Sequence, residues 1–260
     1  DTLIEKQTKL IELLKEKRQA VISTAVTRGL DSSVPMKDSG VEWLGEIPEN
    51  WTISRLKYHV NTVNGFGFSS SDFQDNGIPF IRAGNIKKGT IVPTDIFLPV
   101  SLVEKYKRVI LREGDIVISM VGSDPKILKS AVGQVAEIPA YMNGAVPNQN
   151  IVILKEKKRK LTKNFLLYTL KSTSYRNHLN VYSHKLANQS IISSSLIVAA
   201  YFLSPSIEEQ QIITDYLDDK TSKIDTLITK ATKAIELLKE RRTALISAVV
   251  TGKIDVRETA

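Results

Sequence analysis

Three polar stretches of this chain carry side chains able to recognise a nucleic acid. NGFGFSSSDF, residues 64–73, frees its backbone at Gly65 and Gly67 and leaves Phe66 and Phe68 on a small-residue loop. Such rings suit a thymine methyl or a wedge against a base, and Ser69 and Ser70 suit a base edge or a phosphate. VGSDPKILKSAVG, residues 121–133, sets Lys126 and Lys129 around Ser123 between two expected strands. YRNHLNVYSHKLANQS, residues 175–190, concentrates Arg176, His178, Asn180, Tyr182, His184, Lys185, Asn188 and Gln189 without a single acid. Asn and Gln can pair bidentately with adenine, and Arg or Lys with guanine. Each stretch also fits a plainer description: a turn whose phenylalanines fold into the core, a solvated charged loop, and a polar surface loop.

Catalytic constellations are weak by comparison. Asp115 with Glu156-Lys157-Lys158 loosely matches the acid plus E-x-K pattern of metal-dependent nucleases, in which two carboxylates and a lysine hold Mg²⁺ and polarise water. Lys157, however, is charged where that pattern needs an apolar strand residue. Asp124-Pro125-Lys126 lacks the second proline and the aromatic of an adenine-methylating site, and no glycine-rich loop follows a strand to hold S-adenosylmethionine. Ser70 replaces the third glycine of a dinucleotide fingerprint. His59, His178 and His184 are too scattered for a metal site, and the chain has no cysteine, which leaves no disulfide framework and makes the cytoplasm the default compartment. No apolar run reaches the ~18 residues of a bilayer span, and no signal peptide is visible.

Charge divides the chain. Of a net +8, residues 32–204 carry 21 Lys and Arg against 13 Asp and Glu, while the flanks carry 15 of each. All the excess is confined to the middle, as expected of a segment that meets a polyanion.

The flanks are near-copies: residues 1–31 match 225–255 at 20 of 31 positions. Both carry apolar residues at alternating spacings of three and four. These are Ile4, Ile11, Leu14 and Val21 in the first copy and Ile228, Ile235, Leu238 and Leu245 in the second, with Arg18 and Arg242 in the stripe. That is the seam of a two-helix coiled coil, where a polar residue fixes register at some cost in stability. The spacing predicts that the second helix starts after Pro205 and runs to about Val250, ~65 Å at 1.5 Å per residue. An antiparallel pair of such copies has an approximate two-fold axis, expected to set Ile11 and Leu14 close to Ile235 and Leu238.

The chain thus divides into a helix (1–31), a globular insert (32–204), and a second long helix with its tail (205–260). It opens mid-repeat on Asp1, which suggests a piece of a longer parent. Within the insert, strands are expected at 79–83, 109–112, 116–120, 131–138, 150–154 and 195–203, and helices near 101–107 and 163–179. The fold class is therefore mixed α/β (α+β), one domain of roughly 170 residues with a single core, flanked by long helices forming an antiparallel coiled coil. Two tryptophans in the entry stretch 36–51 are candidates to anchor helix to insert.

The order DSGVEWLGEIPENW, IPFIRAGNIKKGTI, LREGDIVIS, VPNQNIVIL, SIEEQQIITDYLD and IELLKERRTALISAVVTGKID, together with the repeat, resembles the specificity subunit of type I restriction–modification enzymes along nearly the full chain. The resemblance implies a non-catalytic subunit with two target-recognition domains on antiparallel spacer helices, reading the two halves of a bipartite DNA sequence. This chain would hold one such domain between two spacers. Implied partners are duplex DNA, an adenine methyltransferase subunit and a restriction/translocase subunit, with a second copy paired through the helices as the alternative to pairing within one chain. S-adenosylmethionine, ATP and Mg²⁺ would belong to the partners, with no cofactor here. SPSIEEQ at 204–210 lacks the family's usual second proline. Shared motifs cannot encode different targets, so Arg82, Asn85, Lys87 and Lys88 are expected at phosphates rather than bases. Asn148, Gln149 and Asn150 are expected in the framework, and the run KEKKRK at 155–160 at a solvated edge. Alternatives are a metal-dependent nuclease domain and a coiled-coil dimerisation scaffold that reads no DNA.

Overall fold

A computed structural model describes residues 1–42, 44–87, 89–122, 132–157, 161–182, 184–186 and 189–253. Two compact units emerge, one of residues 1–21 with 215–260, the other of residues 22–214.

The first unit is a helical pair. Helix α1 covers Thr2–Arg28 and, at the other end of the chain, helix α6 covers Ile207–Val250, close to the predicted span. Two ion pairs set their register: Arg18 with Asp225 at 3.0 Å and Arg242 with Asp1 at 2.7 Å. Moving from residue 1 to 18 along α1 moves the partner from 242 to 225 along α6, so the helices are antiparallel within one chain. Asp1 and Asp225 are equivalent positions of the repeat, as are Arg18 and Arg242. The two bridges are therefore one contact made twice, and the approximate two-fold axis passes near residues 9 and 10 of α1.

This register corrects the expected pairing. Ile4 lies within one residue of the position opposite Leu238, Ile11 of that opposite Ala231 and Leu14 of that opposite Ile228, whereas Leu14 and Leu238 are nine residues out of step. The seam itself is as read: Ile4, Gln7, Ile11, Leu14, Arg18 and Val21 are all partly shielded, and from residue 2 to 17 the residues between them are exposed. On α6, Ile224 and Ala231 are buried and Ile228, Ile235 and Leu238 half-buried. Arg242 is exposed but pairs across the helices with Asp1, as an aligning residue should, whereas Leu245 departs from the prediction and is exposed.

The second unit is built on a four-stranded antiparallel sheet in the order Val135–Glu137, Ile116–Ser119, Ile151–Glu156, Val60–Asn64. Val117, Ile151 and Ile153 face a core with Ile81, Ile86, Ile91, Leu111, Ala136 and Met142. Alternation sends Ile116, Ile118, Val152 and Leu154 to the other face, equally buried. A smaller cluster gathers Phe80, Leu98, Val103, Val109 and Val146, with Phe68, Phe73 and Tyr106 packed against it.

Several expected elements shift. Residues 109–112 form no strand; the 3₁₀ segment Glu104–Val109 ends there, and Leu111 bonds only the turn at Gly144 and Ala145. Helix α2, Val100–Val103, precedes that segment. The expected helix 163–179 is two, α3 at Lys163–Lys171 and α4 at Thr173–Tyr182, broken where Ser172 leaves the helical region. Residues 195–203 divide into helix α5, Ser194–Ala199, capped by the Ser193 hydroxyl, and the strand Tyr201–Ser204. The β-branched run suggested a strand throughout, but the serine cap starts a helix.

Trp51 is fully buried, and its indole N–H donates to Glu209 Oε1 at 2.9 Å. Glu209 lies in the first turn of α6, so the entry stretch does tie to a helix through tryptophan. Trp43 lies outside the described residues. Where SPSIEEQ lacks a proline, the Ser206 hydroxyl accepts the Glu209 N–H at 3.2 Å and caps α6.

Candidate nucleic-acid interface

The central sheet has two ends, and the polar stretches leave from the same one. Strand Val60–Asn64 runs toward it and continues into residues 65–69. Gly65 N–H donates to Ile151 O at 2.9 Å and Phe66 N–H to Pro147 O at 3.0 Å. A Cβ at Gly65 would stand 2.1 Å from Asn148 O, so only glycine lets the loop lie this close to the 147–148 backbone. Strand Ile78–Ile81 runs parallel to Val146–Pro147 and delivers Arg82–Asn85 beside the same corner, with Asn148 N–H bonded to Ile81 O at 2.8 Å.

On the other side of that corner, Met120 N–H donates to Asn150 O at 2.7 Å, and Ile192 N–H to Met120 O at 2.9 Å. Val121 and Gly122 then pair with Ile191 and Ser190, and the hairpin 184–186/189–191 completes a three-stranded sheet. The start of stretch two and the end of stretch three, Gly122 and Ser190, thus lie on neighbouring strands although they are 68 residues apart in sequence. Residues 65–67, 82–85, 148–150, 120–122, 184–186 and 189–191 gather at one end of the central sheet. Ser123, Lys126, Lys129 and Asn188 lie outside the described residues, as does Lys88. Residues His184, Lys185 and Gln189 are placed by their backbone in the hairpin.

Individual side chains divide into supports and exposed groups. Phe66 and Phe68 fold back as an aromatic cluster with Tyr106, ring centroids 4.3 Å and 5.2 Å from it, so neither stands free as a wedge. Phe66 keeps 39% of its surface exposed, Phe68 less. Ser69 accepts from Ser71 N–H to start a short 3₁₀ turn, and Ser70 is exposed within it. Asn85 is buried as a turn brace, accepting from Arg82 N–H at 2.9 Å and donating to Pro93 O at 3.3 Å. Arg82 pairs with Asp95 at 3.3 Å, and Lys87 is exposed. Asn148 is buried and accepts from Asn150 N–H, while Gln149 is exposed.

The third stretch is the largest correction. Its first half is helix to Tyr182, three residues past the expected end at 179, and Arg176 and His178, expected at the DNA, are structural. Arg176 Nη1 donates to Val132 O at 2.7 Å, clamping the return of stretch two into the sheet. Gly133, at φ +67, makes room for it, since a Cβ there would meet Arg176 Nη1 at 2.7 Å. Burial lowers the Arg176 pKa. His178 is buried, with Nε2 2.9 Å from Leu196 O and Tyr182 tilted against its ring at 5.2 Å. Burial holds the His178 pKa below its usual value, partly offset by the Leu196 bond and assisted by the charge of Arg55. Asn180 is partly shielded and Tyr182 exposed. The run of polar residues hid the helix's buried face, which Tyr175, His178 and Leu179 supply.

The nuclease pattern does not assemble. Asp115 Oδ2 accepts the Arg112 N–H at 2.9 Å within a turn, 4.0 Å from Lys155 Nζ, and Lys158 lies outside the described residues. Among the described residues no group of acids and histidines could hold a metal, and no helix is long and apolar enough to cross a membrane.

The expected helix near 101–107 is there as α2 and the 3₁₀ segment Glu104–Val109, but the cations of that segment were not among the sequence candidates. They are Lys105, Lys107 and Arg108, all exposed, around the Tyr106 that packs on Phe66. Interleaving of three cations with one aromatic was the available signal.

Loops gathered from distant segments at one sheet end, in the part of the chain that holds its excess positive charge, define a macromolecular recognition module. The chain belongs to the type I restriction modification DNA specificity domain family, whose model matches residues 48–237. It is 29% identical over 265 residues to the MjaVIII specificity subunit of Methanocaldococcus jannaschii, covering 99% of this chain and 58% of that protein. It is 27% identical over 215 residues to the EcoKI specificity subunit of Escherichia coli K12, covering 81% of this chain and 44% of that protein. The chain therefore spans about half the length of these curated relatives. The fold matches the crystal structure of the HsdS subunit from Thermoanaerobacter tengcongensis with a TM-score of 0.57 at 19% identity, over 97% of this chain and 56% of that one.

Proposed function

We propose that this chain is a non-catalytic DNA-recognition module of a type I restriction–modification specificity subunit, and that the loop-bearing end of its central sheet is the reading surface. The observation that carries this reading is the junction of residues 65–67, 82–85, 148–150, 120–122, 184–186 and 189–191 at one sheet end, all within the segment 32–204 that holds the whole positive excess. Cations at phosphates supply affinity, and polar side chains at base edges supply sequence choice. The strands 184–186 and 189–191 and their neighbour Val121–Gly122 carry the backbone of Lys185 and Gln189 to one edge, with Arg176 and His178 bonded to Val132 and Leu196 nearby in the chain fold. The residues proposed to read are Lys126, Lys129, Lys185, Asn188 and Gln189.

Because the chain spans about half of its relatives, it reads one half of a bipartite target. The repeated helices act as spacer and as docking surface for methyltransferase and restriction subunits. Methyl transfer, ATP use and cleavage, with S-adenosylmethionine, ATP and Mg²⁺, fall to those partners in the cytoplasm. Selection from a random duplex library at low salt should enrich one short motif, and affinity should fall steeply with salt. No enrichment, or an affinity flat from low to physiological salt, contradicts the proposal.

A further inference from the structure

Seven of the described cations of the second unit are already engaged. Arg82 pairs with Asp95, Lys155 approaches Asp115, and Lys163 pairs with Glu137. Arg55 and Arg176 donate to carbonyls of Ala199 and Val132, and Lys37 and Lys157 to those of Glu49 and Lys57. The 3₁₀ segment Glu104–Val109 gathers three that are not. Among the described residues, the side chains of Lys105, Lys107 and Arg108 make no ion pair or hydrogen bond, and all three are exposed. Glu104, also exposed, offsets one charge, leaving a local excess of two within five residues.

Tyr106 explains why this segment sits where it does. Its backbone leaves the helical region at φ −119, ψ 36, kinking the segment. Its ring then packs between Phe66, at 4.3 Å, and Phe68, at 5.2 Å, and Phe68 in turn meets Phe80 edge-on at 5.6 Å. The neighbours of Tyr106 in the chain are therefore held within a side chain's reach of the 65–67 loop, at the margin of the reading end. An exposed Lys or Arg gains little by itself from folding, so three beside one aromatic anchor are explained by an external anion.

We propose that Lys105, Lys107 and Arg108 form a phosphate-binding strip that seats one strand of the duplex backbone beside the reading end, with Tyr106 as its anchor. The inference rests on the reading of that end as the DNA surface and extends the footprint to a segment outside the three stretches. The strip positions the duplex without reading bases.

The test uses the full chain and three proteins: the unchanged sequence, Lys105→Ala/Lys107→Ala/Arg108→Ala, and Lys57→Ala/Lys155→Ala/Lys157→Ala. The second triple removes the same charge from the opposite end of the sheet, where Glu156 pairs with Val60. Fluorescence anisotropy with a duplex of random sequence and with the selected duplex is followed over a salt series. Each phosphate contact contributes about 0.9 to the slope of log affinity against log salt, so the first triple should shallow it by about 2 to 3. It should weaken both duplexes by the same factor and leave the melting temperature unchanged, while the control triple moves the slope by less than about 1. Equal effects from the two triples would reduce the strip to bulk charge and overturn it. An unchanged slope in the first triple overturns it too, as would a loss confined to the selected duplex. Should the unchanged chain bind duplex without salt dependence, the reading of the whole end fails and the strip with it.

Discussion

A cysteine placed at Leu14 separates the register of the helical unit from its near alternatives. The bridges Arg18–Asp225 and Arg242–Asp1 put Leu14 opposite residue 229 and Leu238 opposite residue 5. Leu14 and Leu238 are then nine residues out of step, roughly 13 Å along the axis at 1.5 Å per residue. A disulfide needs Cα atoms within about 7 Å, so the pair Leu14→Cys/Leu238→Cys should stay reduced within a chain. Ile4→Cys/Leu238→Cys and Leu14→Cys/Ile228→Cys sit within one residue of register and should oxidise readily. The closed loop exceeds two hundred residues, for which chain entropy gives a ceiling of about 5 kcal/mol, and geometry reduces what is realised to about 2–4 kcal/mol. Non-reducing electrophoresis reads the crosslink, and urea melts of oxidised against reduced protein read the stabilisation. A monomeric crosslink from Leu14/Leu238, with none from Ile4/Leu238, would refute this register. Crosslinks of the in-register pairs found only as dimers would make the pairing intermolecular.

Other expectations follow from single contacts. Trp51→Phe keeps most of the buried ring but leaves Glu209 without its indole donor, and should cost about 1.5–3 kcal/mol in denaturant melts. Trp51→Ala should cost about 3–5 kcal/mol. Because burial depresses the His178 pKa, the unfolded chain takes up that proton before the folded one does. The stability His178 contributes is complete above about pH 6.5 and falls as pH drops below it. Melting temperature should therefore decline from pH 7 to 5, and His178→Gln should flatten that decline; an unchanged slope contradicts the assignment. Gly65→Ala pushes a methyl onto Asn148 O and should destabilise the 65–67 loop by about 1–3 kcal/mol, in the range of overpacking, read by thermal melt and by weakened duplex binding.

The helices were the most legible part of the sequence because their repeat and three-four spacing carry two independent signals. The pairing register was also written there, in Asp1 and Asp225 against Arg18 and Arg242, but the apolar seam alone repeats every turn and cannot select it. Strands at 79–83, 116–120 and 150–154 were legible as β-branched runs with turn residues on either side. Residues 109–112 and 195–203 misled for the same reason: their apolar content is satisfied by a turn in one case and by a capped helix in the other. The polar stretch 175–190 misled differently. Composition favoured exposed side chains, yet long-range partners at Val132 and Leu196 turn Arg176 and His178 inward, and no local signal announces a carbonyl forty residues away. The same kind of long-range pairing, Val121 with Ile191 and Met120 with Asn150, makes one surface of stretches that sequence could only name separately.

Photocrosslinking addresses the reading surface most directly. The selected duplex, carrying 5-iodo-deoxyuridine at each thymine in turn, is irradiated with the full chain, and adducts are mapped by peptide mass spectrometry. The account predicts adducts in residues 64–70, 121–133 and 184–191, lost under high salt and absent from Lys57, Tyr58 and 155–157 at the opposite end of the sheet. Adducts concentrated at that opposite end, or on α1 and α6, with none in the three stretches, would contradict it.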